Sequence, residues 1–212
     1  GRGATVVCLV RGDRPGSLFR LEGTADRVER VHGRVEDLPL LLDVLRKRRV
    51  DAVFHLASQP IVGDARLAPY VTMESNVRGT YSVLEAARVT GVRTIVVSTS
   101  DKVYDTTIGD PPYREEHLLG GILPYEVSKV CADVLTRGYA QSYGLPVAVA
   151  RCGNLYGPGD LQWSRIVPGT IRSLLGGERP VIRSDGNPVR DYFYVEDAAE
   201  AHGATYHEIP VG

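Results

Sequence analysis

Short apolar runs alternate along the chain with longer segments whose apolar residues recur at helical spacing. Four runs rich in valine, isoleucine and alanine predict buried strands at residues 4–10, 51–56, 94–98 and 146–151. Helices are predicted at residues 37–50, 70–90, 124–143 and 166–175, and one more begins at Val195. The first helix has Asp37 as its N-cap, and the next three end at Gly91, Gly144 and Gly176. This alternation predicts an α/β fold with a doubly wound parallel sheet.

Composition and charge exclude several classes of protein. The 212 residues are 43% hydrophobic and 24% charged, which is typical of one or two globular domains. The 25 basic and 26 acidic residues leave a net charge of -1, so neither nucleic acid nor an anionic membrane surface is expected as a partner. No apolar run reaches the roughly 18–20 residues of a membrane span, and the first residues do not follow the order of a signal peptide. A cytoplasmic protein is therefore predicted.

Cysteine and lysine usage adds two expectations. The three cysteines, Cys8, Cys131 and Cys152, are widely spaced and form no zinc motif, so we expect buried thiols in a reducing compartment and no metal. Only three of the 25 basic residues are lysines, namely Lys47, Lys102 and Lys129. Lysine can lose its proton in a protein and arginine cannot. A lysine retained in an arginine-rich chain is therefore a candidate for a catalytic role.

Two local patterns carry candidate chemistry. Tyr125 and Lys129 stand four residues apart on a predicted helix, so that the phenol and the ammonium share one face. The run from Ser98 to Tyr104, with Ser100, Asp101 and Lys102 inside it, follows a strand at the sheet edge where sites form. An exposed helix pair and a strand-end turn with an Asx-type cap are the simpler explanations. The two patterns together favour a catalytic site.

Further motifs occur in a fixed order through most of the chain. They are His55–Leu56–Ala57–Ser58–Gln59, Asn76-x-x-Gly79–Thr80, Ser100–Asp101–Lys102, Tyr125-x-x-x-Lys129, Arg151-x-x-Asn154-x-Tyr156–Gly157–Pro158–Gly159 and Arg190–Asp191–Tyr192. With them the chain resembles the extended short-chain dehydrogenase/reductase family, the NAD-dependent epimerase/dehydratase group that acts on sugar nucleotides. The resemblance implies a Rossmann-like fold.

The resemblance favours one reaction and leaves two others open. The Ser-Asp-Lys sequence at 100–102 is similar to the CDP-glucose 4,6-dehydratase group, and chains of this kind also resemble GDP-mannose 4,6-dehydratases. Residues 190–195 are nearer to the epimerases and general dehydratases. A sugar-nucleotide 4,6-dehydratase is therefore expected, with an epimerase or reductase of the same family, or a non-catalytic truncated relative, as alternatives. The nucleotide base and the hexose stay open.

The resemblance also implies roles for individual residues. Tyr125 would be the base for the hexose O4 proton, Lys129 would lower its pKa and hold the nicotinamide ribose, and Ser100, with Thr99 as second choice, would bind O4. Lys102 would remove the C5 proton, with a pKa lowered by burial or by Lys129, and Asp101, held protonated, would donate to the leaving C6 hydroxyl. Cofactor contacts are expected from Arg11, Leu56, Ala57, Ser58, Tyr125 and Lys129, and substrate contacts from Gln59, Asn154, Arg165 and Arg190.

The chain departs from the family pattern at both ends and in the cofactor region. The strand and G-x-x-G-x-x-G loop that open such proteins are absent, so residues 1–160 are expected to form a partial dinucleotide-binding domain and residues 161–212 the start of a substrate-binding region. A chain truncated at both ends should bind cofactor poorly and turn over little.

Two substitutions bear on cofactor choice, and the helices bear on assembly. Arg11 stands where an acid would bind the ribose of NAD, which slightly favours NADP, although Asp13 keeps NAD open. Arg34 replaces the family's adenine-contacting aspartate. A homodimer through the helices at 70–90 and 124–143 is also implied by the resemblance.

Overall fold

Seven short strands, all paired in parallel, form the framework. The structure is a computed structural model that describes residues 3–12, 14–105, 107 and 112–209. For residues 206–208 it describes the backbone but not the side chains. The strands are β1 (Val7–Val10), β2 (Glu29–His32), β3 (Ala52–His55), β4 (Thr94–Ser98), β5 (Val147–Ala150), β6 (Asn154–Tyr156) and β7 (Tyr192–Tyr194). The helices are α1 (Leu18–Leu21), α2 (Leu38–Lys47), α3 (Val62–Leu67), α4 (Pro69–Met73), α5 (Gly79–Thr90), α6 (Pro124–Tyr143), α7 (Ile166–Leu175) and α8 (Val195–Glu208).

The strands pair in three separate groups. β1 pairs with β2, β3 and β5 pair on either side of β4, and β6 pairs with β7. No strand joins β1 to β3 among the residues that the structure describes. Parallel pairing with intervening helices is that of a doubly wound sheet, the fold class predicted from the sequence.

The long helix predicted at 70–90 is interrupted. It consists of α4, a π-helical turn at Glu74–Arg78 and α5. The interruption coincides with Asn76, whose buried side chain hydrogen-bonds the backbone of Gln59 and the hydroxyl of Ser128. Single π-helical turns within α-helices are frequent at functional sites, and they leave no signature in apolar spacing.

Helix ends follow the predicted capping residues. The Asp37 carboxylate accepts the Leu40 amide hydrogen bond at 3.1 Å, which satisfies one free donor of α2. That helix ends at Lys47 rather than 50, and Arg49 adopts a left-handed φ of 47°. Gly91 and Gly144 end α5 and α6 with φ of 73° and 63°, as C-terminal glycines do.

Five elements were not predicted, because each is too short or too polar for a clear period. The helices α1 and α3 have four and six residues. The strands β6 and β7 have three residues each, and β2 carries charged side chains at Glu29 and Arg30. The pairing of β6 with β7 crosses the domain boundary predicted at residue 160. The helix α8 packs against β4, β5, β6 and β7.

Two apolar clusters hold helices on the sheet. One contains Leu84, Val92, Ile95, Val97 and Leu145, all buried, and joins α5 to β4. The other joins α2 to α5 through buried residues, and partly buried residues of β1 and β3 pack against it: Leu41, Val83, Ala86, Leu9 and Val53. β4 is thus the most deeply buried strand, and its carboxyl end emerges at Ser98 from a rigid layer.

Candidate active site

The loop after β4 forms a short capped turn. Ser100 is the N-cap of a 3₁₀ turn at Asp101–Val103, where its hydroxyl oxygen accepts the Lys102 amide hydrogen bond at 3.2 Å. The same hydroxyl donates to Asp101 Oδ1 at 3.0 Å. The Asp101 amide donates to the carbonyl of Cys152 at 3.0 Å, which ties the turn to the segment after β5. The serine, the acid and the amine therefore lie at the carboxyl end of the sheet, as predicted.

Helix α6 brings the tyrosine and the lysine to this loop. Pro124 occupies its first turn, and the Glu126 carboxylate accepts the amides of Ile122 and Leu123, each at 3.1 Å. Tyr125 and Lys129 are 8% and 5% exposed, so the predicted pair lies on the buried face of the helix rather than on its surface. An exposed helix pair is thereby excluded.

The electrostatic surroundings of Tyr125 differ from the expected ones. Burial raises the pKa of its phenol, and the hydrogen bond with Ser100 lowers it. The negative charge of Asp101 raises this pKa further, and the positive charge of Arg165 lowers it. The Lys129 ammonium, which was expected to lower this pKa, donates to the Ser98 carbonyl at 3.2 Å. Burial and the charge of Asp101 outweigh Ser100 and Arg165, so the net pKa of the phenol is raised.

The pKa of the Lys129 ammonium lies close to neutrality. Burial lowers the pKa of its ammonium to about 8, and a counteracting effect of Cys152 raises it. A lysine with this pKa exchanges protons readily at neutral to mildly basic pH. Cys152 and Cys8 are half-buried, and burial raises the pKa of both thiols, as expected of structural cysteines.

Asp101 and Lys102 form an ion pair. Their Oδ2 and Nζ atoms are 3.7 Å apart, with 20% and 31% of the side chains exposed. The pKa of Lys102 was expected to be lowered by burial or by Lys129. In the structure the charged partner of Lys102 is Asp101. Both residues and Arg190 line an open cavity of about 740 Å³ on the side of β5, and Tyr125 and Lys129 do not line it.

The remaining expected residues are spread over the same end of the sheet. Leu56 and Ala57 follow β3 and are exposed, and Gln59 is held by Asn76. Arg165 forms an ion pair with Asp160 at 2.9 Å. Three more expected residues occupy the edges of this region: Ser58 is half-buried, Asn154 begins β6, and Arg190 is exposed and donates to the carbonyl of Val189. Of the four substrate residues, only Arg165 influences Tyr125.

Three residues were expected to bear on cofactor choice, namely Arg11, Asp13 and Arg34. Arg11 is exposed directly after β1, at the carboxyl end of that strand. Asp13, which keeps NAD open as a cofactor, lies outside the described residues. Arg34 donates to Glu36 at 3.0 Å, and the Glu36 carboxylate also accepts from Ser75. No group of three metal-ligating side chains occurs in the ranges described, and no helix in them could span a membrane.

Two further residues hold the site together: Asn76, which the sequence analysis named only within a motif, and Asp133, which it missed. Asn76 connects the loop after β3 to α6, because its amide donates to Ser128 Oγ at 2.9 Å and Ser128 in turn donates to the Tyr125 carbonyl. Asp133 is completely buried and forms a bidentate ion pair with Arg151. The spacing of four between Lys129 and Asp133 was the available signal, since it places both on one helix face.

The structure predicts an acid-sensitive stability at His55. Its ring is buried beside Thr80, 3.0 Å from the hydroxyl, and burial and the charge of Lys129 lower its pKa from 6.5 to about 4. The folded protein thus binds fewer protons than the unfolded chain between these values, so stability present above pH 6.5 is lost as the pH falls towards 4. A shift of this size corresponds to about 3 kcal/mol.

This loss is measured by urea unfolding at several pH values for the complete protein and for His55→Asn. The difference in unfolding free energy between the two should shrink from pH 7 to pH 4.5. An exposed control, His32→Asn, should keep the wild-type pH profile. Parallel pH profiles for wild type and His55→Asn would contradict the assignment.

Comparisons with known proteins agree on the family. The model of the NAD dependent epimerase/dehydratase family matches residues 1–209. The dTDP-glucose 4,6-dehydratase of Mycolicibacterium smegmatis is 35% identical over 86% of this chain, and the CDP-glucose 4,6-dehydratase of Salmonella typhimurium is 30% identical over 91%. The chain spans 54% and 59% of their lengths.

A solved structure gives the same result for the fold. DesIV, a dTDP-glucose 4,6-dehydratase from Streptomyces venezuelae with NAD bound, superposes with a TM-score of 0.82 at 31% identity. The alignment covers 95% of this chain and 61% of DesIV. The Rossmann-like parallel sheet is therefore confirmed as the fold. On its sequence, its fold and the residues at the end of β4, the chain belongs to the NAD-dependent epimerase/dehydratase family.

Proposed function

We propose that the protein is a sugar-nucleotide 4,6-dehydratase that uses NAD or NADP. It converts a nucleoside-diphosphate hexose into the 4-keto-6-deoxy sugar nucleotide and water. The observation that carries this proposal is the joint placement of Ser100, Tyr125 and the Asp101–Lys102 ion pair at the end of β4. The hydroxyl and phenol suit oxidation at C4, and the acid and amine suit the loss of water.

Oxidation at C4 uses the buried pair of hydroxyls. The Tyr125 phenolate takes the proton of the hexose O4 hydroxyl, and Ser100 orients the same oxygen through its own proton. Ser100 has a single proton, which it donates to Asp101 in the structure, so its hydrogen bond must turn to the O4 oxygen for the reaction. Arg165 adds a positive charge that stabilises the phenolate.

Water loss uses the ion pair. Proton transfer from the Lys102 ammonium to the Asp101 carboxylate within the ion pair gives a neutral amine and a carboxylic acid. The C4 ketone acidifies the C5 proton, which the neutral amine of Lys102 removes. The C6 hydroxyl leaves as water with the proton of Asp101, and a double bond forms between C5 and C6. A bound nicotinamide would supply the redox chemistry, as acceptor of the C4 hydride and as its donor to C6, and Lys102 gives its proton back to C5. The proton that Tyr125 took from O4 passes to Asp101, so substrate equals product plus water, without net oxidation.

The residues around the site fit a dinucleotide. Leu56 is 62% exposed at the end of β3, where an apolar surface beside a strand end suits a flat cofactor. Lys129 lies on the same side of α6 as Tyr125 and would hold the nicotinamide ribose. Arg11 supports a preference for NADP, because a guanidinium suits a 2′-phosphate, whereas DesIV contains NAD. Parallel assays with each cofactor distinguish the two.

Domain division and assembly are further parts of the proposal. Residues 1–160 would form the dinucleotide-binding part and residues 161–212 the start of the substrate-binding part, with Gln59, Asn154 and Arg190 reaching the sugar nucleotide. A homodimer through α4–α5 and α6 is supported by large exposed side chains on those helices, namely Tyr70, Val71, Tyr81, Val134 and Tyr143. Light scattering on the complete protein tests the dimer.

An epimerase is the second candidate, because Ser100, Tyr125 and Lys129 alone suffice for oxidation and re-reduction at C4. The family model that matches the chain covers both reactions. The two differ in their products, since epimerisation leaves the mass unchanged and dehydration removes one water.

The test uses the protein from the complete reading frame. It is incubated with NAD or NADP and, in separate reactions, with GDP-mannose, CDP-glucose, dTDP-glucose and UDP-sugars, and product masses are read. We expect one substrate to lose one water. A new compound of unchanged mass would replace the proposal by the epimerase, and no reaction with any substrate would contradict it.

A further inference from the structure

A buried ion pair beside the site contacts the catalytic loop at two points. Asp133 lies one helical turn beyond Lys129 on α6, and its carboxylate binds Arg151 through two hydrogen bonds of 2.8 and 2.9 Å. The Asp133 side chain is fully buried and that of Arg151 is 12% exposed. Arg151 lines the same cavity as Asp101 and Lys102, whereas Asp133 lies beneath it, fully buried.

The first contact is with Thr99, on the amino-terminal side of the loop. Its hydroxyl donates to Asp133 Oδ2 at 3.4 Å, and its amide donates to the Ala150 carbonyl at 2.8 Å. Thr99 was the second choice for the hydroxyl that binds substrate, but its side chain is directed to Asp133 instead. This contact fixes the residue immediately before Ser100.

The second contact is with Tyr104, on the carboxyl-terminal side. Arg151 donates to its phenol oxygen at 3.2 Å and to the Glu115 carbonyl at 3.0 Å, and its guanidinium lies 5.1 Å from the centre of the ring. The ring of Tyr113 stacks on Tyr104 at 4.7 Å. Tyr104 is the second residue after Lys102, so this contact fixes the other end of the reactive segment.

We propose that the loop clamp, formed by Thr99, Tyr104, Asp133 and Arg151, positions Ser100, Asp101 and Lys102 against Tyr125 for catalysis. A bidentate arginine–carboxylate pair has a fixed geometry, so it transmits the position of α6 to both ends of the loop. None of the four residues is a catalytic group; they are positioning residues. The proposal rests on the dehydratase function for its product readout, and on geometry alone for its spectroscopic readout.

The two contacts of the loop clamp should affect different steps of the reaction. Thr99 adjoins Ser100, so Thr99→Val should slow oxidation at C4. Tyr104 is nearer to Lys102, so Tyr104→Phe, which keeps the ring stack, should slow water loss more than oxidation. Each is expected to lower kcat about 10-fold, and Asp133→Asn, which loosens both ends, about 100-fold, because small misplacements of reacting groups are costly. The KM of the sugar nucleotide should change less than threefold in each.

The experiment compares these variants with Tyr139→Phe in the complete protein. Tyr139 also lies on α6. Its phenol donates to Glu85 at a distance of 3.3 Å, and this hydrogen bond lies away from the loop. Acid-quenched reactions with stoichiometric enzyme are analysed by mass. Tyr104→Phe should accumulate the 4-keto sugar nucleotide that still carries its C6 hydroxyl, lighter than the substrate by two hydrogens. Thr99→Val should not, and Tyr139→Phe should match wild type.

A second readout does not depend on the reaction. The absorbance titration of Tyr125 is obtained as the difference between each protein and its Tyr125→Phe counterpart. Loss of the Ser100 hydrogen bond in Thr99→Val and Asp133→Asn should raise the titration midpoint, with thermal unfolding confirming that each variant is folded. Unchanged midpoints and unchanged product ratios in folded variants would overturn the clamp. Shifted midpoints in a protein that releases no water would support the clamp and contradict the dehydratase.

Discussion

Replacing Tyr125 by phenylalanine is expected to lower kcat about 10³-fold, because the phenol is the base that takes the O4 proton. The side chain is 8% exposed, so the packing around the ring keeps it in place when the oxygen is removed. Burial and the charge of Asp101 raise the pKa of this phenol. The wild-type rate should therefore increase with pH across the neutral range, as more phenolate forms.

The measurement is a steady-state assay of the sugar nucleotide that loses water in the substrate panel. Tyr139→Phe, which removes a partly buried phenol from the same helix, is the matched control and should keep the wild-type rate. A Tyr125→Phe rate within tenfold of wild type would exclude the tyrosine as the base. Loss of activity in both variants would indicate damage to α6 rather than to the chemistry.

Replacing Asp101 by asparagine is expected to reduce water loss by about 10²–10³-fold while C4 oxidation continues. The carboxyl is the proposed donor to the C6 hydroxyl, and an amide cannot supply that proton. The change also removes the charge opposite Lys102, whereas the asparagine oxygen can still accept the hydrogen bond of the Ser100 hydroxyl.

The masses of the compounds in quenched reactions distinguish C4 oxidation from water loss in this variant. The 4-keto compound that retains its C6 hydroxyl should build up, and the dehydrated product should be nearly absent. Asp105→Asn alters an exposed carboxylate in the same loop and should behave as wild type. If Asp101→Asn forms product at the wild-type rate, the acid lies elsewhere, and an unaltered epimerisation would identify the enzyme as an epimerase.

Much of the framework is predictable from the sequence, because it depends on local patterns. The strand Thr94–Ser98 and the helices Pro124–Tyr143 and Ile166–Leu175 have the predicted bounds. Their apolar spacing and terminal glycines are local properties of the chain. The same spacing places Tyr125 and Lys129 on one face, and the strand end places Ser100 beside them.

The contacts within the site are not predictable in this way. Lys129 donates to the Ser98 carbonyl, and Arg165, 40 residues further along the chain from Tyr125, adds a positive charge that lowers the phenol's pKa. The Asp133–Arg151 pair joins positions 18 residues apart. Such interactions depend on how helices and loops pack, and a pattern of residue types carries no information on which partner a long side chain selects.

The unequal burial of the strands also has a consequence for the molecule's motions. The first four residues of β4 are buried, whereas β1 is half-buried throughout and β2 is exposed at both ends. Protein regions open as separate cooperative units, and those with fewer buried contacts open more readily. The amides of β1 and β2 should therefore exchange with solvent through local opening, whereas those of the buried β4 exchange only when the whole domain unfolds.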